Sequence, residues 1–220
     1  MLKSQALISQ LEVRFTNSEK DKAESNEKRE TSDIYVHFID ILFAVVIGQS
    51  FVLLNSKEGF GSWLTQPMEN AFGIATLLVV YGLVITSWVG YHRSTRVYPI
   101  KNPLRFVIDV TLLFIYYMGF VNAGNFGLVT WIFFFAFLLY TVWDAFRILE
   151  YHSQKSLTRD LLKRLLISAV FTIGFLAVAE VYAIMGTEIT GIEWAFFVVI
   201  LVMLILYRYS KWYKESKHVE

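Results

Sequence analysis

Asp40 is the first residue whose chemistry demands an account. It stands inside an apolar run from Ile34 to Leu54, in the stretch Phe38-Ile39-Asp40-Ile41-Leu42-Phe43-Ala44. In a bilayer, a lipid-facing carboxylate costs roughly 2.5–3.5 kcal/mol on insertion scales, so it needs a partner or a water-filled cavity. The next apolar run closes on Trp88-Val89-Gly90-Tyr91-His92-Arg93, which supplies candidates. Asp109 lies near the start of a third run and Asp144 toward the end of a fourth, with His37, Arg105 and Arg147 nearby. At ~1.5 Å rise per helical residue, all of these fall within ~10 Å of one plane. His37, Asp40, His92, Arg93, Asp109 and Asp144 therefore read as an intramembrane polar network that pins helices together. That reading is favoured over direct catalysis, and snorkelling accounts for the outermost arginines. Glu180 is apart, near the opposite end of a fifth run. It is a candidate cation or proton site, or an acid that simply reaches water.

Other chemistries find little support. The chain has no cysteine, which removes thiol catalysis, disulfides and thiolate metal sites. His37 and Asp40 are three residues apart, but no third and fourth ligand follows at a metal-binding spacing. No nucleophilic serine occupies an elbow motif, and Gly59-Phe60-Gly61 lacks the strand and helix of a phosphate loop. His152 and His218 sit in basic, solvated surroundings. Neither a cofactor, a metal nor a nucleic-acid partner is expected, and the chain is not read as an enzyme.

The elements that must position these groups are membrane helices. Hydrophobic residues make up 55% of the chain and charged residues 18%, with 19 Phe and 6 Trp and a mean hydropathy of +0.48. Those residues collect in runs long enough for a hydrocarbon core of about 30 Å, which takes ~20 helical residues. Six spans are expected, near 35–55, 71–92, 104–123, 126–150, 161–185 and 192–209. The fold class is thus an all-α, polytopic six-helix bundle in the lipid bilayer. Of the 20 Lys and Arg, all but Lys57 lie in or directly beside the terminal tails, around 93–105 or around 147–164. Such segments stay cytoplasmic, which places both termini inside.

Three regions follow: a cytoplasmic tail at 1–33, a transmembrane domain at 34–210 and a second tail at 211–220. No signal peptide is expected, because 1–33 lacks a continuous apolar core. Leu7, Ile8, Leu11 and Phe15 have helical spacing, a candidate amphipathic helix for docking to a membrane surface or a cytoplasmic protein partner. A poorly ordered end is the favoured reading there. Residues 17–33 are dense in mixed charge and read as disordered linker. The long loop 55–70 carries Phe60, Trp63 and Met68, read as interfacial anchors rather than a lid. Asn122-Ala123-Gly124-Asn125 makes a tight turn, so spans three and four must be antiparallel neighbours. Thr187 to Glu193 does the same for spans five and six.

The first span has a second face. Val45, Gln49 and Val52 recur at spacings of four and three residues and stack on one side. Asp40 is rotated ~140° from Val45 at 100° per residue, so the acid does not share that side. By periodicity alone this stripe is ordinary helix packing.

Phe38-x-Asp40-x-x-Phe43-Ala44 in a first helix, with Trp88-x-x-Tyr91-His92-Arg93 ending a second, resembles the transmembrane protein 175 family of endolysosomal and bacterial potassium-permeable channels. The match covers residues 38–114, and the last three spans agree in layout. The resemblance implies a homo-oligomer, tetrameric in the bacterial type, without a potassium-channel selectivity loop. The first helix would line the pore, in the inner membrane of a bacterium. The constriction positions become Val45, Gln49 and Val52, while Phe38, Asp40 and His92 join the network that holds the first helix. The family's motif Arg is Ile34 here, its motif Ser is Ile39, and its first motif His is Tyr91. Gln49 replaces an apolar residue. With Arg and Ser gone, His37 or Arg93 is expected to serve Asp40, or the carboxyl holds a proton.

Three functions remain in view. The first is a potassium-permeable channel. The second is a non-conducting or conditionally opened membrane component, an effector or regulatory subunit controlled through its N-terminal tail. The third is an intramembrane enzyme or proton-coupled transporter using Asp40, Asp109, His92 and Glu180, which lacks any reaction-specific constellation.

Overall fold

The computed structural model describes residues 33–52, 70–100, 102–152, 155–185 and 191–216. The expectations for the amphipathic segment, the charged linker, the loop 55–69 and the terminal residues 217–220 lie outside these. Six helices are long and apolar enough to cross a membrane, and no strand occurs among the described residues. They are α1 (Asp33–Val52), α2 (Ala71–Val97), α3 (Pro103–Val121), α4 (Phe126–Tyr151), α5 (Lys155–Met185) and α6 (Ile192–Ser216).

The chain is a multi-pass membrane protein, and local sequence explains where its helices begin. The Asn102 side chain accepts the Leu104 N–H at 2.9 Å, and Pro103 occupies the first turn of α3, where its missing N–H does no harm. The Asn125 side chain accepts the Leu128 N–H at 3.1 Å and opens α4 in the same way. Gly191 precedes α6 with φ +82°, a left-handed conformation that a residue without Cβ adopts freely. Several helices run past the apolar stretches: α5 starts at Lys155 rather than 161, and α6 continues to Ser216 rather than stopping at 209. Lys, Arg and Glu are good helix formers, and without Gly or Pro nothing stops a helix at the membrane surface.

Five helices form a closed ring. Helix α2 packs on α3 and α6, α3 on α4, α4 on α5, and α5 on α6. The α4–α5 pair is the most extensive. Phe137 and Phe175 lie 4.2 Å apart between ring centroids, and the Thr172 hydroxyl donates across to the Phe137 carbonyl at 2.8 Å. Where α2, α3 and α4 meet, a Cβ at Gly119 would sit 3.3 Å from Val80, so the absent side chain allows close approach.

Helix α1 rests against the outside of this ring, over α2 and α3. Its inward stripe is Ile39, Phe43, Val46 and Ser50, all buried. Tyr35 stacks on Phe106 of α3 at 4.8 Å, and the Ser50 and Tyr81 hydroxyls meet at 2.5 Å. Burial of three apolar side chains contributes about 1.5–3 kcal/mol each relative to water. In lipid that term falls away, and packing with the Ser50–Tyr81 hydrogen bond fixes the docking angle.

Candidate functional site

The single polar layer expected from depth resolves into separate clusters. The first holds the base of α1. Asp40 Oδ1 accepts the Trp88 Nε1–H at 2.9 Å and a hydrogen bond from His92 Nε2 at 2.6 Å. An ionised Asp40 only accepts, so with Asp40 charged Nε2 is the donor in this contact. Trp88 and His92 lie one helical turn apart on α2, with their rings edge to face at 5.0 Å. His37, one of the two substitutes expected for Asp40, turns back to the Asp33 carbonyl at 2.7 Å. Phe38 packs its ring against Phe106 at 5.5 Å. Asp40 thus ties α1 to α2, and aromatic contacts tie α1 to α3.

Asp40 is 35% exposed in its side chain, so solvent screening discounts the pair. Asp40→Ala is expected to lower stability by about 1–2 kcal/mol, because two donors lose their acceptor. Asp40→Asn keeps an acceptor oxygen and should lose less. Thermal melts in one detergent would show the order wild type, Asn, Ala. Coincident melts would mean the contact contributes nothing.

The second cluster joins α3 to α4. Arg105 Nη1 donates to Glu150 Oε2 in a short ion pair, and Glu150 Oε1 accepts the Asn102 N–H at 2.8 Å. Arg105 also lies over the Trp143 ring at 4.5 Å. Arg147 repeats the device, 4.8 Å from the same Trp143 ring and 4.1 Å from Tyr98. Aromatic faces attract cations where water is excluded.

The third cluster joins α4, α5 and α6 through Asp144, which is 1% exposed. Its Oδ2 accepts from the Ser168 hydroxyl at 2.5 Å and from Lys211 Nζ at 2.7 Å. Its Oδ1 lies 3.5 Å from Arg147 Nη1. Asp109 is buried on α3 and Arg93 lies near the end of α2. Both line a cleft between α2 and α6 rather than the Asp40 clasp.

Sequence reading missed Glu150, Ser168 and Lys211, and also a hydroxyl cluster deeper in the bundle. Ser87 and Tyr116 hydroxyls meet at 2.6 Å, Tyr116 and Tyr140 at 2.5 Å, and Tyr140 donates to Ser87 at 2.9 Å. Arg208 of α6 reaches the Leu83 carbonyl at 3.3 Å. One residue from each of three helices gives no pattern along the chain. Charge at the end of an apolar run was the available signal for Glu150 and Lys211.

The remaining candidates occupy the surface of the bundle. Glu180 is exposed near the end of α5. Val45 is 50% and Val52 62% exposed on the outward face of α1, and Gln49 is exposed between them. Among the described residues no three of His, Asp and Glu converge as a metal-binding group. A scan against protein-family models and searches of curated proteins and of solved structures found no match to this chain.

Proposed function

We propose that the chain is one subunit of a homo-oligomeric, potassium-permeable cation channel whose pore is lined by α1. The sidedness of that helix carries the reading. Ile39, Phe43, Val46 and Ser50 face the subunit core, while Val45, Gln49 and Val52 project outward. An amide facing hydrocarbon gains from a neighbouring helix or from water, and copies of α1 gathered around an axis supply both. Ala44 and Gly48 lie on the same exposed side, and small residues four apart let helix backbones approach.

The ion and the stoichiometry rest on the resemblance at Phe38, Asp40, Phe43, Ala44, Trp88, His92 and Arg93 to the transmembrane protein 175 family. That resemblance also supports a tetramer and a bacterial inner-membrane location, and the Lys/Arg distribution supports cytoplasmic termini. The Asp40 clasp would hold the base of α1 while its outward face borders the pore. Rings of aliphatic side chains close a pore by dewetting, and a ring of Gln49 amides keeps it wetter.

Potassium flux from liposomes tests this reading. Gln49→Leu is expected to restore an apolar ring and reduce flux severalfold, while Gln49→Ala should widen the passage and raise it. Both replacements are good helix formers. Equal flux from all three proteins at wild-type thermal stability would remove α1 from the pore.

A further inference from the structure

Between α2 and α6 lies a cleft of about 900 Å3. Along much of its length the walls are aliphatic, with Leu78, Ile85 and Val89 on α2 and Leu201 and Ile205 on α6. All five side chains are exposed, so the cleft opens sideways, where a bilayer's hydrocarbon would lie. Its other end is different in kind. Arg93, Arg147, Arg164 and Lys211 line it, Arg208 reaches deeper to the Leu83 carbonyl, and Asp109 is the one acid among the described residues of the lining.

Hydrogen-bonding capacity is left over at that same end. Arg147 is 2% exposed, yet its Nε and Nη2 have no hydrogen-bond partner among the described residues. The same holds for Arg208 Nε, the Ser94 hydroxyl, the Tyr91 hydroxyl and one acceptor, Asp109 Oδ2. All five residues line the cleft. Buried donors of this kind are nearly always satisfied in folded proteins, by protein, water or ligand. The basic side chains of the lining suit a group with several acceptor oxygens and negative charge, and arginine matches phosphate geometry.

We propose that this cleft binds one anionic phospholipid, its phosphate among the basic side chains and an acyl chain along the aliphatic walls. Basic pockets between membrane helices on the cytoplasmic side hold acidic headgroups in this manner, and the basic ends of these helices are the ones expected to be cytoplasmic. A free phosphate would satisfy the donors but would leave the apolar length of the cleft without an occupant. The lipid selects on both properties together. This site is distinct from the outward face of α1 and stands whether or not that face lines a pore.

The test uses the full chain in detergent with dioleoyl phosphatidylglycerol, dioleoyl phosphatidylcholine of identical chains, or inorganic phosphate. Retained lipid is read by native mass spectrometry, and the thermal midpoint is read in parallel. Phosphatidylglycerol should bind at least about tenfold more tightly than phosphatidylcholine and raise the midpoint, since each nearby cation contributes about 1 kcal/mol, or roughly fivefold. Arg93→Gln should reduce that preference about fivefold. Gly82 lines the cleft, and a Cβ there meets nothing within 4 Å. Gly82→Leu should therefore fold well and displace the acyl chain, weakening both lipids while every cation remains. Equal binding of the two lipids would overturn the proposal. So would inorganic phosphate alone reproducing the stabilisation, or a well-folded Gly82→Leu protein retaining phosphatidylglycerol like wild type.

Discussion

Glu150→Gln is expected to destabilise the bundle by about 3–5 kcal/mol, while Arg105→Leu combined with Glu150→Leu should recover most of that loss. Arg105 is 0% exposed, and its Nε and Nη2 lack hydrogen-bond partners among the described residues. Its compensation is therefore the Glu150 carboxylate and the Trp143 face. Removing one member of a buried pair leaves an uncompensated charge, which is far worse than removing both. The double variant leaves the Asn102 N–H without its Glu150 acceptor, so recovery should fall short of wild type. Thermal melts of Arg105→Leu, Glu150→Leu and the double close a mutant cycle, and strong non-additivity is the expected outcome. A double variant no more stable than Glu150→Gln would show that the pair is not what makes the single change harmful.

The same pair shows what was legible in the chain and what was not. Length and hydropathy establish six membrane helices, and Asn102-Pro103 and Asn122 to Asn125 mark real helix boundaries. Depth along a helix is also readable, and it brings Asp40 to the level of His92. Rotation about the helix axis is readable in part. On α4 the buried residues Ala136, Phe137, Trp143, Asp144, Arg147 and Tyr151 follow one face, so periodicity carried past the apolar run points Asp144 and Arg147 inward. Partner choice is another matter. Asp40 and Asp109 occupy similar depths, yet α1 turns one to His92 while α3 turns the other toward the α2–α6 cleft. Lys211 looks like a solvated tail residue until α6 continues far enough to carry it back onto Asp144. Those outcomes depend on which helices become neighbours, and a single chain's charge pattern does not encode the order of the ring.

Asp144→Asn should have the second large effect, because it unfastens three helices at once. The carboxylate takes Ser168 from α5, Lys211 from α6 and Arg147 from its own helix. Asparagine fits the same volume and can still accept from Ser168, but it leaves two cations facing each other without their counter-charge. A loss of about 3–5 kcal/mol is expected by the argument for broken buried pairs. Lys211→Met should lose less, about 1.5–3 kcal/mol, since Lys211 is partly exposed and Asp144 keeps Arg147 and Ser168. Hydrogen exchange separates the two in space. Lys211→Met should loosen only the last turns of α6, whereas Asp144→Asn should raise exchange in the adjoining turns of α4, α5 and α6 together. Arg147 and Lys211 also line the cleft, so losing the Asp144 charge makes its headgroup end more basic. An anionic lipid that binds only the folded bundle stabilises it by mass action, and more so as its affinity rises. Phosphatidylglycerol should therefore raise the midpoint of Asp144→Asn by more than that of wild type, with phosphatidylcholine raising both alike. An unchanged melt and unchanged exchange in Asp144→Asn would mean that the three helices are held by their apolar contacts alone.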